Sequence, residues 1–293
     1  MAPTPTIHPA ARLYAREHRA GQLSRREFLA RATSLGVSAA AAYGLIGLAA
    51  PRAARAQEAQ MGGEIRIQSD VRPLKDPRTY DWPQMSNFSR GWLEYLVEYQ
   101  RDGSIAPMLL ESWEVSEDAT TYVLRVRPGV TWNDGSPFTA RDVAYNIARW
   151  CEQGVEGNSM AARMASLIDP ETGAAREGAI EVTDDMTVTL TMLNPDITLI
   201  AGFSDYPAAI VKDGFTGDPM ENPVGTGPYL PEELSVGERA TLVRNADHEW
   251  WGTEVFGGPY ADRIVYIDYG TDQAAHFAAA EGGEVDMVYE SLG

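Results

Sequence analysis

After residue 56 this sequence offers two imidazoles, His248 and His276, and one thiol, Cys151, to any reaction that needs them. Zinc centres and hydrolytic nucleophiles betray themselves by spacing, as in HExxH, CxxC or GxSxG. None of these patterns occurs. Asp and Glu together number 42, and among so many carboxylates any two can be called an acid–base pair. The run Gly225-Thr-Gly-Pro-Tyr229 lacks the Lys-Ser/Thr ending of a phosphate loop, so its glycines read as a tight backbone turn. The single cysteine excludes an intrachain disulfide and reads as an inert buried thiol. No catalytic residue, metal ligand set or cofactor follows from the residue types.

The elements that would position a binding surface are clearest between Glu111 and Trp150. Tyr122-Val-Leu-Arg-Val-Arg127 alternates apolar and polar side chains as a half-buried strand does. Asn133-Asp-Gly135 is a tight-turn signal, because these residues tolerate positive φ. Thr139 with Asp142 three residues on predicts a helix start, and Val143, Ile147 and Trp150 give that helix an apolar face. Earlier, Glu64–Gln68 reads as a strand, and Pro73, Pro77 and Pro83 predict an irregular stretch from Asp70 to Asn87. A helix is predicted over Phe88–Glu98, with Trp92, Tyr95 and Leu96 on one face. Later strands are predicted at Ile180–Val182, Thr187–Met192, Thr226–Leu234, Ala240–Arg244, Ile264–Tyr269 and from Glu284. An Ala-rich helix spans Asp272–Glu281. Strands and helices mix without strict βαβ alternation, which gives an α/β or α+β class.

The first 56 residues differ in kind, with eight arginines against two glutamates. Ser24-Arg-Arg-Glu-Phe-Leu29 resembles the twin-arginine export motif, with Ala30 where Lys is usual. Ala32–Ala50 is uncharged, and Ala54-Arg-Ala56 fits a small-residue cleavage site, so residues 1–56 are expected to be a removable twin-arginine signal peptide. About 19 uncharged residues could also just span a bilayer as an anchor. Removing the leader's net +6 from the chain's −18 leaves −24. Such a charge disfavours nucleic acid and anionic membrane surfaces, both of which need a basic face.

Several ordered motifs resemble the family 5 solute-binding proteins, the extracytoplasmic receptors of ABC importers for peptides, nickel and related solutes. The motifs are Gly62-Gly-Glu-Ile-Arg-Ile-Gln-Ser-Asp70, the Glu111–Ile147 stretch, Asn222-Pro-Val-Gly-Thr-Gly-Pro-Tyr229, Arg244-Asn-Ala-Asp-His-Glu-Trp-Trp251, Tyr260–Gly270 and Gly283-Glu-Val-Asp-Met287. The resemblance implies an α/β, periplasmic binding protein-like (class II) two-lobed fold. Residues 57–293 would be its first lobe, with 57–87 and 200–293 as core sheet and 88–199 as an inserted subdomain. Since the sequence stops soon after Met287, the expectation is a chain truncated before the second lobe, a fragment or a shortened reading frame.

The same resemblance implies a site. The family's Leu-Asp-Pro landmark stands here as Lys75-Asp76-Pro77, and counting on puts Tyr80, Asp81, Trp82 and Pro83 where cleft-facing residues fall. Asp81 would hold a cationic group and Trp82 would supply a flat apolar wall. The plainer alternative is an exposed carboxylate and a Trp packed beneath the loop. Asn158, Ser159 and Met160 correspond to a pocket lining in peptide binders, or to a simple helix connection. Tyr289 and Glu290 lie at the hinge edge of the cleft. The implied partners are a small solute (peptide foremost), an ABC permease and the twin-arginine machinery, around a periplasmic monomer. Rival readings are an exported cofactor-dependent enzyme, a chaperone or sensor reusing the fold, and a truncated product with no ligand affinity.

Overall fold

A computed structural model describes residues 7–51 and 60–289. Along the chain run α1 (Pro9–Arg19), α2 (Arg25–Ser34), α3 (Ala39–Leu45), β1 (Glu64–Gln68), α4 (Pro83–Ser89), β2 (Val97–Tyr99) and β3 (Ile105–Pro107). There follow β4 (Leu110–Val115), β5 (Thr121–Val126), α5 (Ala140–Trp150), β6 (Ile180–Asp184), β7 (Thr187–Thr191) and α6 (Leu199–Gly202). The last elements are β8 (Tyr229–Ser235), β9 (Arg239–Arg244), α7 (Thr253–Phe256), β10 (Arg263–Ile267), α8 (Gln273–Glu281) and β11 (Met287–Val288). The expected cleavage site Ala54-Arg-Ala56 and residue Glu290 lie outside the described residues.

Contacts divide the chain into two compact units. The first gathers the described part of Met1–Ala54 with Tyr95–Pro128 and Thr139–Ile210. The second gathers the described part of Arg55–Glu94 with Gly129–Phe138 and the described part of Val211–Gly293. The units divide at 94/95 and 210/211, and the Gly129–Phe138 loop goes with the second unit.

The second unit is a five-stranded sheet in the order β11-β1-β10-β9-β8. β1 runs parallel to β10 and β11, while β9 is antiparallel to β10 and β8. Val265 and Leu242 are buried, and Phe88 meets Tyr266 edge-on at 5.7 Å. The helix predicted over Phe88–Glu98 is displaced: α4 begins at Pro83 and ends at Ser89. Pro83 occupies the first helical turn, where its missing N–H would have had no partner. The chain then turns at Gly91, where a Cβ would stand 2.5 Å from Leu242 Cδ1. Val97–Tyr99 leaves the helical path altogether and pairs with Ile105–Pro107 as a hairpin.

The Asn133-Asp-Gly135 turn holds Trp132 fully buried against Phe138. Its Asp134 carboxylate accepts a hydrogen bond from Lys212, which also donates to Ser136 Oγ at 2.7 Å. The Lys212 hydrogen bond, chiefly, lowers Asp134 from 3.8 to about 2. A depressed carboxyl contributes stability that is complete above its ordinary pKa and lost as pH falls through the folded one. Carbon-13 titration of the Asp134 carboxyl should therefore show a midpoint near 2, and Lys212→Met should return it towards 3.8. A wild-type midpoint near 3.8 would remove this contact.

The first unit carries a four-stranded antiparallel sheet, β4-β5-β7-β6. Tyr122, Leu124 and Val126 alternate inward on β5 beside Val188 and Leu190 on β7. α5 packs on this sheet, its start fixed by the reciprocal Thr139–Asp142 capping box. Cys151, at its end, is buried, and burial pushes its thiol up to about 12. α1, α2 and α3 also belong to this unit, with Phe28, Leu29 and Ala32 wholly buried. Among the described residues no helix is long and apolar enough to cross a membrane.

Candidate functional site

In the sheet unit three parallel strands end at one edge. Parallel strands leave a crevice outside their carboxyl ends, where ligands of open α/β sheets bind. β1 ends at Gln68, whose carbonyl accepts the Tyr289 N–H just past β11. The Ser69 N–H continues to Ile267 O at the end of β10, and Val71 N–H reaches Asp268 Oδ2 at 2.8 Å. These bonds fix the chain as it leaves β1 and deliver Arg72 to the loop. Arg72 pairs with Asp70 at 2.7 Å and lays its guanidinium over the Trp82 ring, 3.9 Å from the centroid.

The predicted loop residues behave differently from one another. Tyr80 is buried, and Pro83 opens α4. Trp82 is 46% exposed, so neither of the two simple expectations describes it: one face is held by Arg72 and much of the ring meets water. Asp81 is exposed and pairs with Lys75 at 3.1 Å, a hydrogen bond that holds its carboxyl below the usual range. The landmark Asp76 caps the Pro77–Thr79 turn and binds Arg78 at 3.0 Å. A small recess lies beside this loop, lined by Asp70, Arg72, Gln84, Phe88 and Tyr266 among others. Tyr289 is partly exposed at the end of β11. Arg72 and Asp70 were not singled out from sequence. A cation ten residues from a Trp carries no local pattern.

In the other unit, Asn158 closes the end of α5. Its Nδ2 donates to the carbonyls of Trp150 at 3.1 Å and Glu152 at 2.8 Å, and its Oδ1 accepts from Met160 N–H at 3.2 Å. Met160 is fully buried. Ser159 presents its carbonyl to Arg163 Nη1 at 2.8 Å, while its hydroxyl is buried with no hydrogen-bond partner. The amide of Asn158 and the side chain of Met160 are thus engaged by their own unit.

The conspicuous glycine run has another role. Gly225 and Gly227 have no positive φ, so no tight turn needs them. Instead the run lies against Gly91–Trp92: a Cβ on Gly225 would stand 1.9 Å from Trp92 O, and one on Gly227 2.7 Å from Gly91 O. Thr226 then donates to the buried Glu94 carboxylate at 2.7 Å. Trp250 and Trp251 donate their indole N–H groups to the same carboxylate at 3.0 and 2.7 Å. His248 Nε2 lies 3.1 Å from Thr226 O. The glycine run and the Arg244–Trp251 motif are therefore joined through Glu94, a residue that sequence reasoning passed over.

Comparison with known proteins places this geometry among relatives. Residues 104–292 match the family described as "Bacterial extracellular solute-binding proteins, family 5 Middle". The chain is 27% identical over 235 residues to the nickel-binding periplasmic protein of Escherichia coli K12, covering 76% of this chain and 40% of that protein. It is 28% identical over 275 residues to the periplasmic oligopeptide-binding protein OppA of the same organism, covering 88% of this chain and 48% of that protein. Among solved structures, the unliganded open form of the murein tripeptide binding protein MppA aligns with a TM-score of 0.66 at 18% identity, over 80% of this chain and 47% of that chain. The PBP AgaA in complex with agropinic acid, from A. tumefaciens R10, aligns at 0.63 and 24% identity, over 77% and 43%. At such identities the structural likeness speaks for the fold alone. The chain spans about half, or less, of the length of these relatives.

Proposed function

This chain belongs to the bacterial extracellular solute-binding proteins of family 5, and from that premise we propose that it captures a small solute outside the cytoplasm for an ABC permease, peptides being the first class to test. The relatives named above are binding proteins, three of them periplasmic by name, and the leader motif supports export by the twin-arginine route. The observation that carries the reading is the Trp82 ring, stiffened by Arg72 and left open to water near the carboxyl ends of parallel strands.

Capture needs no bond to be broken. The exposed part of Trp82 offers apolar area whose burial by a ligand is worth about 1–2 kcal/mol at 25 cal/mol per Å2. Asp81 and Lys75 form an exposed pair of the sort worth under about 1 kcal/mol, so a ligand ammonium or carboxylate exchanges with either member at little cost. Excluding water around such a contact then strengthens it. Tyr80 and Pro83 shape the backbone beneath these two side chains.

Native mass spectrometry of the chain purified without refolding should show a solute adduct, and calorimetry with di- to pentapeptides should give heat. Trp82→Ala should weaken the best peptide by about tenfold, the 1.4 kcal/mol equivalent of the lost apolar contact. A bare mass together with no heat from peptides, a nickel chelate or haem would overturn the proposal.

A further inference from the structure

The leader is built into the first unit by more than apolar contact. α2 starts at Ser24 with a reciprocal capping box to Glu27 and buries Phe28, Leu29 and Ala32 completely. Thr33 Oγ1 accepts the buried Ile105 N–H of β3 at 2.8 Å while donating to Leu29 O. Trp113 on β4 donates its indole N–H to the carbonyls of Thr33 and Ser34, both at 3.1 Å. Arg26 lies over the Tyr99 ring of β2, and Tyr43 on α3 donates to Asp102 Oδ2 at 2.9 Å. Two glycines permit the approach: a Cβ on Gly36 would meet Trp113 O at 2.4 Å, and one on Gly103 would meet Arg26 Cγ at 2.4 Å.

These contacts have a shared property. Every receiving group lies 59 or more residues from its leader partner, on β2, β3, β4 or the turns beside them. The receiving surface therefore exists only once those strands have formed. α2 has 10 residues, too few to hold a helix alone in water. Its helical, docked form is conditional on the fold of the rest of the unit. Arg25 and Arg26 remain exposed in that form, while Phe28 and Leu29 of the same motif do not.

We infer that, in the chain that carries its leader, the Ser24–Leu29 motif is a folding-dependent clasp: it docks on its own folded unit, presenting the arginine pair and sequestering the apolar pair. A receptor that reads the arginines meets a docked helix on folded protein and an open strand of chain on unfolded protein. One that grips Phe28 and Leu29 must first undock them. The inference does not depend on solute binding.

Hydrogen exchange of the full chain, read by mass spectrometry, tests this. Amides from Phe28 to Ser34 should exchange at least 100-fold more slowly than in an unstructured peptide, and Ile105 should be protected with them. Phe28→Asp should release the leader and Ile105 together by tenfold or more while β5 and β7 keep their protection. Should Phe28→Asp also loosen β5 and β7, Thr33→Val gives the milder reading: it keeps the shape, removes the acceptor, and should speed Ile105 and the α2 amides alone. Unprotected α2 amides in the wild type overturn the inference, as does Ile105 protection indifferent to both substitutions.

Discussion

Glu94→Ala is expected to cost the sheet unit about 3 kcal/mol, close to the upper range for a single polar deletion. The carboxylate is buried and accepts hydrogen bonds from Thr226 Oγ, Trp250 Nε1 and Trp251 Nε1. Hydrogen bonds to a charged group contribute about 1.5–3 kcal/mol each, but they do not add when they share one acceptor. Removing the acceptor leaves the Thr226 hydroxyl, in a residue only 1% exposed, to face an apolar gap, while the two half-buried indoles recover part of their loss from water. Glu94→Gln keeps one carbonyl oxygen and should lose about half as much. Asp286→Asn offers a contrast: its pair with Arg66, at 3.0 Å, is solvent-exposed and screened by water, so its loss should move the unfolding midpoint far less. Urea unfolding, followed by amide protection in β8, β9 and β10, would rank the three. Equal midpoints for Glu94→Ala and Asp286→Asn would remove Glu94 from its central place.

The difference between Glu94 and the capping box at Thr139 shows which features a sequence displays. The box is written in three consecutive steps of chain, and its geometry follows from spacing alone. The strands β5 and β7 are legible for the same reason, since period-two alternation needs no knowledge of the partner. Glu94 sits between Leu93 and Tyr95 with donors 132 to 157 residues away, so nothing near it marks its use. Pro83 misled because proline is a breaker inside a helix and a good opener at its first turn, and only the structure tells which position it holds. The leader is the largest such case. Its composition raises an expectation of export, and that composition cannot show that Thr33 and Trp113 are partners. At the candidate site, the loop is proposed through resemblance alone. The Arg72 stack, which gives Trp82 its orientation, depends on how β1 hands the chain over to the loop.

Gly225→Ala should be the most damaging single methyl in the second unit, lowering stability by about 3 kcal/mol or preventing the unit from forming. The added Cβ would stand 1.9 Å from Trp92 O and 2.6 Å from Trp92 C, which are backbone atoms and cannot rotate away. Nor can the segment back off freely. Asn133 N–H binds Gly225 O at 2.9 Å, and Gly227 N–H binds Trp92 O at 3.0 Å, so relief on one side breaks a bond on the other. The same displacement would carry Thr226 away from Glu94, coupling the clash to the buried carboxylate. Gly44→Ala is the control: that glycine lies in α3 with open space around it, and alanine there should be neutral or stabilising by up to about 1 kcal/mol. Calorimetric melting of the full chain reads both. Because the effects of Gly225→Ala and Glu94→Ala pass through one contact, their combination should cost less than the sum of the two. Strict additivity in the double variant would mean that the glycine run and the carboxylate act independently, and would dissolve the link between the two motifs.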